Sequence, residues 1–338
     1  DSDLTGYDGG GGGGGSSYAS PTRTTNVVHV QGARPGHGQI TLTYISPTAP
    51  SNTSWPILSG FPRTGQVLTS GDGTWSSPTA LTYRYQWQNS PATNGLWSNA
   101  TGAGNSTASY TVSTNDVGLF LRVEVTASNS YGTASASSQP TSVVLPLPPA
   151  NSVVPAISGT IRVDETVSVS TGTWSPTNPA LSFSYQWRVS GSVSGPWINA
   201  VGMGATSASY QIPPEEVGRY LQVQVTAVNA GGTNIAVSAS TTPVSKGTQQ
   251  ILFGALPSKT YGDASFAAGA SSTKGLAISY ASSNPSVAIV VNGEIQILGA
   301  GTTTITASQA GNDSYEAAVS VPQDLVVSPA PLTIAAQD

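Results

Sequence analysis

One long stretch of this sequence occurs twice, and that internal repeat limits the fold more than any other feature. Tyr85-Gln86-Trp87 returns as Tyr185-Gln186-Trp187, Trp97 as Trp197, Asn99-Ala100 as Asn199-Ala200 and Ala108-Ser109-Tyr110 as Ala208-Ser209-Tyr210, each 100 residues later. The same offset carries Val117-Gly118 to Val217-Gly218 and the stretch from Leu121 to Asn129 onto that from Leu221 to Asn229. Gly73-Thr74-Trp75 and Gly172-Thr173-Trp174 are 99 apart, so one residue was gained or lost in the loop between. Two tandem copies result, at 50–146 and 151–245.

Within a copy the apolar residues alternate. Leu121, Val123, Val125 and Ala127 are separated by Arg122, Glu124 and Thr126, and a period of two marks a half-buried antiparallel strand. Turn residues interrupt the pattern at Ser70-Gly71-Asp72-Gly73, Asn94-Gly95, Gly102-Ala103-Gly104-Asn105 and Asn129-Ser130-Tyr131-Gly132. No stretch keeps a helical period. About seven short strands in ~100 residues predict a β-sandwich for each copy.

What the composition lacks narrows the function. The 338 residues include no cysteine, which excludes a disulfide framework, a thiolate metal site and a Cys nucleophile. The net charge is −5, with 11 Lys plus Arg against 16 Asp plus Glu. The arginines are scattered singly and the lysines are Lys246, Lys259 and Lys274, so no basic stripe can track a phosphate backbone or an anionic lipid surface. Nucleic acid is not an expected partner. Val143–Leu147 and Val287–Val291, the longest apolar runs, fall far short of the ~20 residues that span a bilayer, and no membrane insertion is expected. The opening Asp1-Ser2-Asp3 has neither Met nor a basic and apolar leader, as expected of a processed or excised piece.

Tyr-x-Trp in mid-copy is followed by Asp116-Val-Gly118-Leu-Phe120-Leu-Arg-Val in one copy and by Glu216-Val-Gly218-Arg-Tyr220-Leu-Gln-Val in the other. This resembles the strand C tryptophan and strand F of immunoglobulin-like domains, and more closely the cysteine-free Ig-like repeats of large bacterial surface and secreted proteins. The copies depart from the family where a Cys is expected, at Arg122 and Gln222. The period turns Leu121 and Val123 inward instead, so Phe120 and Tyr220 need not form a tyrosine corner. From Gln249 the pattern changes. Ser282-Ser283-Asn284-Pro285-Ser286-Val287-Ala288, Val290-Val291-Asn292-Gly293-Glu294-Ile295 and Gly299-Ala300-Gly301-Thr302 running to Ala307 resemble the Ig-like domains of intimin- and invasin-type adhesins and related glycine-rich surface repeats. Asn292-Gly293 between two apolar runs predicts a type I′ hairpin, whose central residues both need positive φ. Lys259-Thr260-Tyr261-Gly262-Asp263 is similar to those repeats as well, and Asp263 there reads as turn chemistry.

This resemblance sets a third domain at 248–329 and the start of a further repeat at 330–338. Gly9 to Gly15 is an unbroken glycine run, which resembles the end of a glycine-rich domain over 1–46; a flexible linker is the other reading. The implied whole is an all-β rod of tandem Ig-like β-sandwiches, extracellular or on the bacterial cell surface. Its implied role is that of a non-enzymatic structural or adhesive stalk or spacer. Expected partners are copies of itself or adjacent domains of the same long chain, and surface glycans. Two other roles fit the same architecture. One is a filament or sheath subunit, assembled by strand addition through Ile40–Tyr44 and Leu332–Ala335. The other is a set of ancillary modules in a secreted polysaccharide-degrading enzyme.

The residues offer little for catalysis. His29 and His37 both precede the first copy, and no Gly-x-Ser-x-Gly elbow accompanies them. Glu215-Glu216, the one adjacent pair of glutamates, reads as a solvated corner, because a glycosidase brings its two carboxylates from separate elements. No acidic run has calcium-loop spacing. No catalytic residue, metal or cofactor is expected. Of seven tryptophans, six fall into repeat pairs, leaving Trp55 alone. Trp75, Trp87, Trp174 and Trp187 read as structural core; Trp97 and Trp197, near a sheet edge, are candidate carbohydrate contacts. Lys–Asn crosslinks are excluded from both copies, which hold no lysine before Lys246, and in the third domain only Lys259 and Lys274 could serve.

Overall fold

The computed structural model describes residues 48–177 and 179–332. The expected glycine-rich segment 1–46 with its strand at Ile40–Tyr44, both histidines and, beyond Leu332, the further repeat at 330–338 lie outside the described residues.

The first copy forms β1 (Ser51–Ser54), β2 (Leu58–Ser59), β3 (Val67–Ser70), β4 (Thr74–Ser76), β5 (Thr82–Ser90), β6 (Ser98–Asn99), β7 (Ser109–Thr111), β8 (Phe120–Asn129) and β9 (Gly132–Ser137). A three-stranded sheet, β2-β3-β7, faces a four-stranded one, β6-β5-β8-β9, while β1 and β4 pair as a separate ribbon. The alternation read from the sequence decides which way β8 faces: Leu121, Val123, Val125 and Ala127 are fully buried. Across the ladder, Trp87 lies opposite Val123 and Tyr85 opposite Val125. Trp87 then stacks on Tyr110 of the other sheet, with ring centroids 5.2 Å apart and planes 20° from parallel. Its indole N–H donates to the Thr107 carbonyl at 2.9 Å, so the largest core side chain leaves no polar atom unpaired.

The second copy repeats this arrangement. It consists of β10 (Ala150–Val153), β11 (Ile157–Ser158), β12 (Thr166–Val169), β13 (Thr173–Ser175), β14 (Ser182–Ser190), β15 (Ile198–Asn199), β16 (Ser209–Gln211), β17 (Tyr220–Asn229) and β18 (Gly232–Val237). Its sheets are β11-β12-β16 and β15-β14-β17-β18, with β10 on β13. Trp187 stacks on Tyr210 at 5.4 Å and 22° and donates to the Ser207 carbonyl at 2.9 Å.

The third unit is built differently, from β19 (Ile251–Leu252), β20 (Lys259–Thr260), β21 (Phe266–Ala267), β22 (Ser271–Ser272), β23 (Ser279–Ser282), β24 (Ala288–Val291), β25 (Glu294–Ile297), β26 (Gly301–Gln309) and β27 (Ala318–Ser328). Its sheets are β20-β27-β26-β23 and β21-β25-β24. Asn292 and Gly293 close the β24–β25 hairpin with φ of 52° and 81°, both positive as the type I′ turn requires. The core holds Ile295, Ile305 and Leu325, all fully buried, rather than a tryptophan.

In each unit the entering chain pairs parallel with the leaving chain. Arg63 bridges Leu145, Arg162 bridges Ser245, and β20 pairs with β27. Three separate apolar clusters fill the sandwiches. Among the described residues the helical elements are two 3-10 turns, Thr114–Asp116 and Pro214–Glu216.

Candidate functional site at the domain junctions

Thr242-Pro243-Val244-Ser245-Lys246 reads as a linker whose proline can stiffen it, and the structure makes most of it part of the second sandwich. The second copy continues through Pro243 to its expected end at 245, since Val244 is core and Ser245 is still paired. The Ser245 amide donates to Ile161 O and Val163 N–H donates back to Ser245 O, both at 3.1 Å. Two residues later Gly247 belongs to the third unit. Its amide donates to Ser314 O and its carbonyl accepts from Glu316 N, both at 2.9 Å. Lys246 alone separates the two sets, and its Nζ donates to Asn312 O at 2.6 Å.

Side chains seal this junction. Tyr315 of the third unit packs against the core of the second. Gly247 lets it in: a Cβ there would stand 2.9 Å from the Tyr315 ring and 3.3 Å from Val163 Cβ, closer than a folded side chain tolerates. Lys274 crosses the same seam to Asp164, Nζ to Oδ2 2.6 Å, and its Nζ lies 5.3 Å from the Tyr315 ring centroid. Hydrogen bonding to Asp164 raises the Lys274 pKa, which keeps the ammonium charged. Asp164 holds φ at 68°, where the equivalent residue of the first copy is Gly65 at 79°. A left-handed non-glycine residue is strained; here that strain places a carboxylate against the next domain.

The first junction is longer. Leu145 N–H donates to Pro62 O at 2.9 Å and Leu145 O accepts from Thr64 N at 3.0 Å; Pro146–Pro149 then lead to β10. The second copy grips this lead. Asn229 Nδ2 donates to Leu147 O and Asn234 Nδ2 to Pro149 O, each at 2.9 Å. Arg63 of the first unit reaches Gly231 O at 3.4 Å. Asn129, the twin of Asn229, holds Thr48 O at 3.0 Å. Each copy thus uses the same turn asparagine to hold the chain that enters it.

The residues singled out from the sequence are placed as follows. Trp87 and Trp187 are completely buried and Trp174 nearly so. Trp75 is half-buried against the first core, with its indole donating to Asp72 O at 2.8 Å. Trp97 and Trp197 are both half-buried. The Arg122 guanidinium lies 4.4 Å above the Trp97 ring, which occupies one of the two faces a sugar could use. Lys259 Nζ lies 4.5 Å above the Phe266 ring. Gly262 has φ of 105°, and the turn closes where Asp263 accepts from the Thr260 amide at 2.8 Å. Among the described residues no group of three or more acidic or histidine side chains is assembled for a metal.

The solvated-corner reading of Glu215-Glu216 is also corrected, because Glu216 is only 3% exposed. The 3-10 turn swings it inward to accept from the Tyr210 hydroxyl at 2.6 Å. Its twin Asp116 is fully buried and makes four bonds: from Tyr110 Oη at 2.6 Å, Ser113 N at 2.8 Å, and Ser113 Oγ and Asn89 Nδ2 at 2.9 Å. Pro213 and Val189 replace Ser113 and Asn89 in the second copy, and Glu216 Oε2 is left without a partner. Burial chiefly raises the Glu216 pKa, and Glu215 adds to the effect.

Comparison with known proteins agrees with the third domain's sequence pattern. A family model described as the intimin immunoglobulin-like domain matches residues 268–311, which run from just before β22 past the end of β26. No curated protein matches. Solved structures that align include the FN1-FN3 domains of chicken CNTN1, at 14% identity over 83% of this chain and 100% of that one, with a TM-score of 0.26. An I-band fragment of titin aligns at 14% identity over 85% and 100%, with a TM-score of 0.29. The N-terminal eight Ig domains of Down Syndrome Cell Adhesion Molecule align at 12% over 83% and 42%, with a TM-score of 0.33. These superpositions are too loose to carry an argument, and the fold rests on the strand order above. The chain is an all-β tandem of Ig-like sandwiches that includes an intimin-type bacterial Ig-like domain.

Proposed function

We propose that this chain is a non-enzymatic stalk or spacer segment of an adhesin-type protein on the bacterial cell surface. The observation that carries this reading is the second junction, where Lys246 alone separates backbone pairing within one sandwich from pairing within the next. A protein that needs its domains to close on a substrate keeps hinges between them; one that holds a distant tip in place benefits from removing them. The intimin-type match supports an extracellular address. The scarcity of charge, 8% of residues, gives the surface few groups for salt to screen.

Small-angle scattering on the full chain tests the proposal. Three sandwiches, each ~40 Å long from strands of up to ~10 residues with loops at both ends, give a rod on the order of 120 Å. A radius of gyration near ~20 Å, which is expected of a single globule of this length, refutes the stalk. Negative-stain imaging of the same sample adds a second criterion: regular fibres instead of separate rods identify a filament subunit.

A further inference from the structure

We infer that the first sandwich carries a binding groove for a neutral polysaccharide, organised around Trp55. The groove measures about 800 Å³ and runs between the segment linking β1 to β2 and the segment that follows β9. Trp55, the tryptophan without a repeat partner, lines it at 59% exposure. A β-bulge at Asn52/Ser54 precedes it, with Asn52 Nδ2 tying down Ser54 O at 2.9 Å and Thr74 O at 3.2 Å. Bulges of this kind re-aim the next side chain.

The second copy serves as an internal control, because it has the same bulge and the same asparagine clamp. Asn151 Nδ2 reaches Val153 O at 2.8 Å and Thr173 O at 3.1 Å. The residues the fold needs are kept: buried Pro56 matches Pro155, and Thr141, whose Oγ1 accepts from Leu121 N at 3.1 Å, matches Thr241, whose Oγ1 accepts from Leu221 N at 3.0 Å. Of the residues that give the groove its chemistry, Thr53 and Ser142 keep a hydroxyl in Ser152 and Thr242, and the other three are not kept. Trp55, Ser54 and Gln139 correspond to Val154, Val153 and Ala239. The sandwich folds without them, so an aromatic face left in water at this position is not explained by the scaffold.

The lining identifies the class of ligand. No charged side chain lines the groove, which disfavours anionic polymers and charged peptides alike. The same groove is lined by the exposed residues Thr53, Ser54, Gln139 and Ser142, whose side chains make no hydrogen bond to any other described residue. An aromatic platform in a groove that also offers hydroxyl and amide groups matches a pyranose, whose axial C–H face stacks while its equatorial hydroxyls hydrogen-bond. The open groove suits internal residues of a chain better than a chain end.

The test is affinity electrophoresis of the full chain through native gels containing hydroxyethyl cellulose, galactomannan or laminarin, with carboxymethyl cellulose as the anionic control. At least one neutral polymer should retard the protein more than the anionic one. Trp55→Val, which installs the residue the second copy already uses, should weaken that retardation at least tenfold with the melting profile unchanged, and Gln139→Ala should weaken it several-fold. Two results overturn the inference: no neutral polymer retards the chain, or Trp55→Val is retarded like the wild type. A third result, concentration-dependent self-association that Trp55→Val abolishes in the absence of polysaccharide, reassigns the groove to contact between copies and also overturns it. Scattering reads the shape of the chain independently, so a failed stalk and a failed groove are distinguishable.

Discussion

Asp116 and Glu216 occupy the same place in two copies of one fold, yet removing them should have very unequal consequences. In Asp116→Ala, the buried Tyr110 hydroxyl, the Asn89 amide and both Ser113 donors lose a fully buried acceptor. Each charge-assisted bond is worth roughly 1.5–3 kcal/mol, but the terms do not add, and losing a desolvated charge offsets part of the sum. A net loss of about 3–4 kcal/mol follows, close to the practical limit for one substitution. In Glu216→Ala only the Tyr210 bond is lost. That hydroxyl has a second acceptor at Val201 O, 3.2 Å away, and the unpartnered Oε2 disappears with the side chain. The change should stay within about 1 kcal/mol of zero. The pH dependence separates the two further. Because the folded-state pKa of Glu216 is raised, its contribution to stability is fully present below the unfolded value of 4.5 and is lost as pH rises through the folded one. Calorimetry of the full chain at pH 4 and pH 7 reads all of this. Asp116→Ala should lower one transition by at least ~12 °C at about 4 °C per kcal/mol. Glu216→Ala should matter less at pH 7 than at pH 4, because the stability that the raised pKa supplies is lost as pH rises. Equal losses at pH 7, or a second-domain transition that rises between pH 4 and 7 only when Glu216 is present, would refute the reasoning.

Trp87→Ala and Trp187→Ala should each abolish one calorimetric transition and spare the others, since losing a buried Trp costs roughly 3–5 kcal/mol; retention of all transitions would place these rings outside the core. Trypsin should cut the Lys246–Gly247 bond slowly in the native protein, and Asp164→Gly combined with Lys274→Ala should expose it; rapid cleavage of the wild type would show that the junction opens. In a spectrophotometric alkaline titration Tyr85 should ionise late, because burial and its hydrogen bond to Asp72 push its pKa up to about 12. Tyr85→Phe should remove a late-titrating component, and an unchanged curve would count against that bond.

The repeat and its alternation made the sandwiches legible because both are local: the period of two at Leu121–Ala127 already states which side chains go inside. Asn292-Gly293 was legible for the same reason, as a two-residue turn carries its own backbone requirement. Glu216 was not. Two adjacent glutamates at a predicted turn have no local reason to enter the core, and only the return of the chain past Tyr210 gives one of them a partner. The signal available was comparative, an acid at the matching position of the other copy. The second junction was hidden by sequence distance, since Gly247 needs Tyr315 to explain it, and Pro243 gave the neighbourhood the look of a linker.

The parallel pairing of entering and leaving chain in every sandwich has a consequence for how the segment responds to tension. When the two ends of a domain are pulled apart, parallel neighbours slide in opposite directions along their own length. In the first unit, the Thr64–Leu145 and Leu145–Pro62 bonds are then loaded side by side in shear and cannot be opened one after another as in a peeled hairpin. The Val163–Ser245 and Ser245–Ile161 bonds stand in the same orientation in the second unit, and the β20–β27 pair does in the third. Two sandwiches that share a repeat and a third that does not arrive at the same latch, at the place where an external load enters each domain.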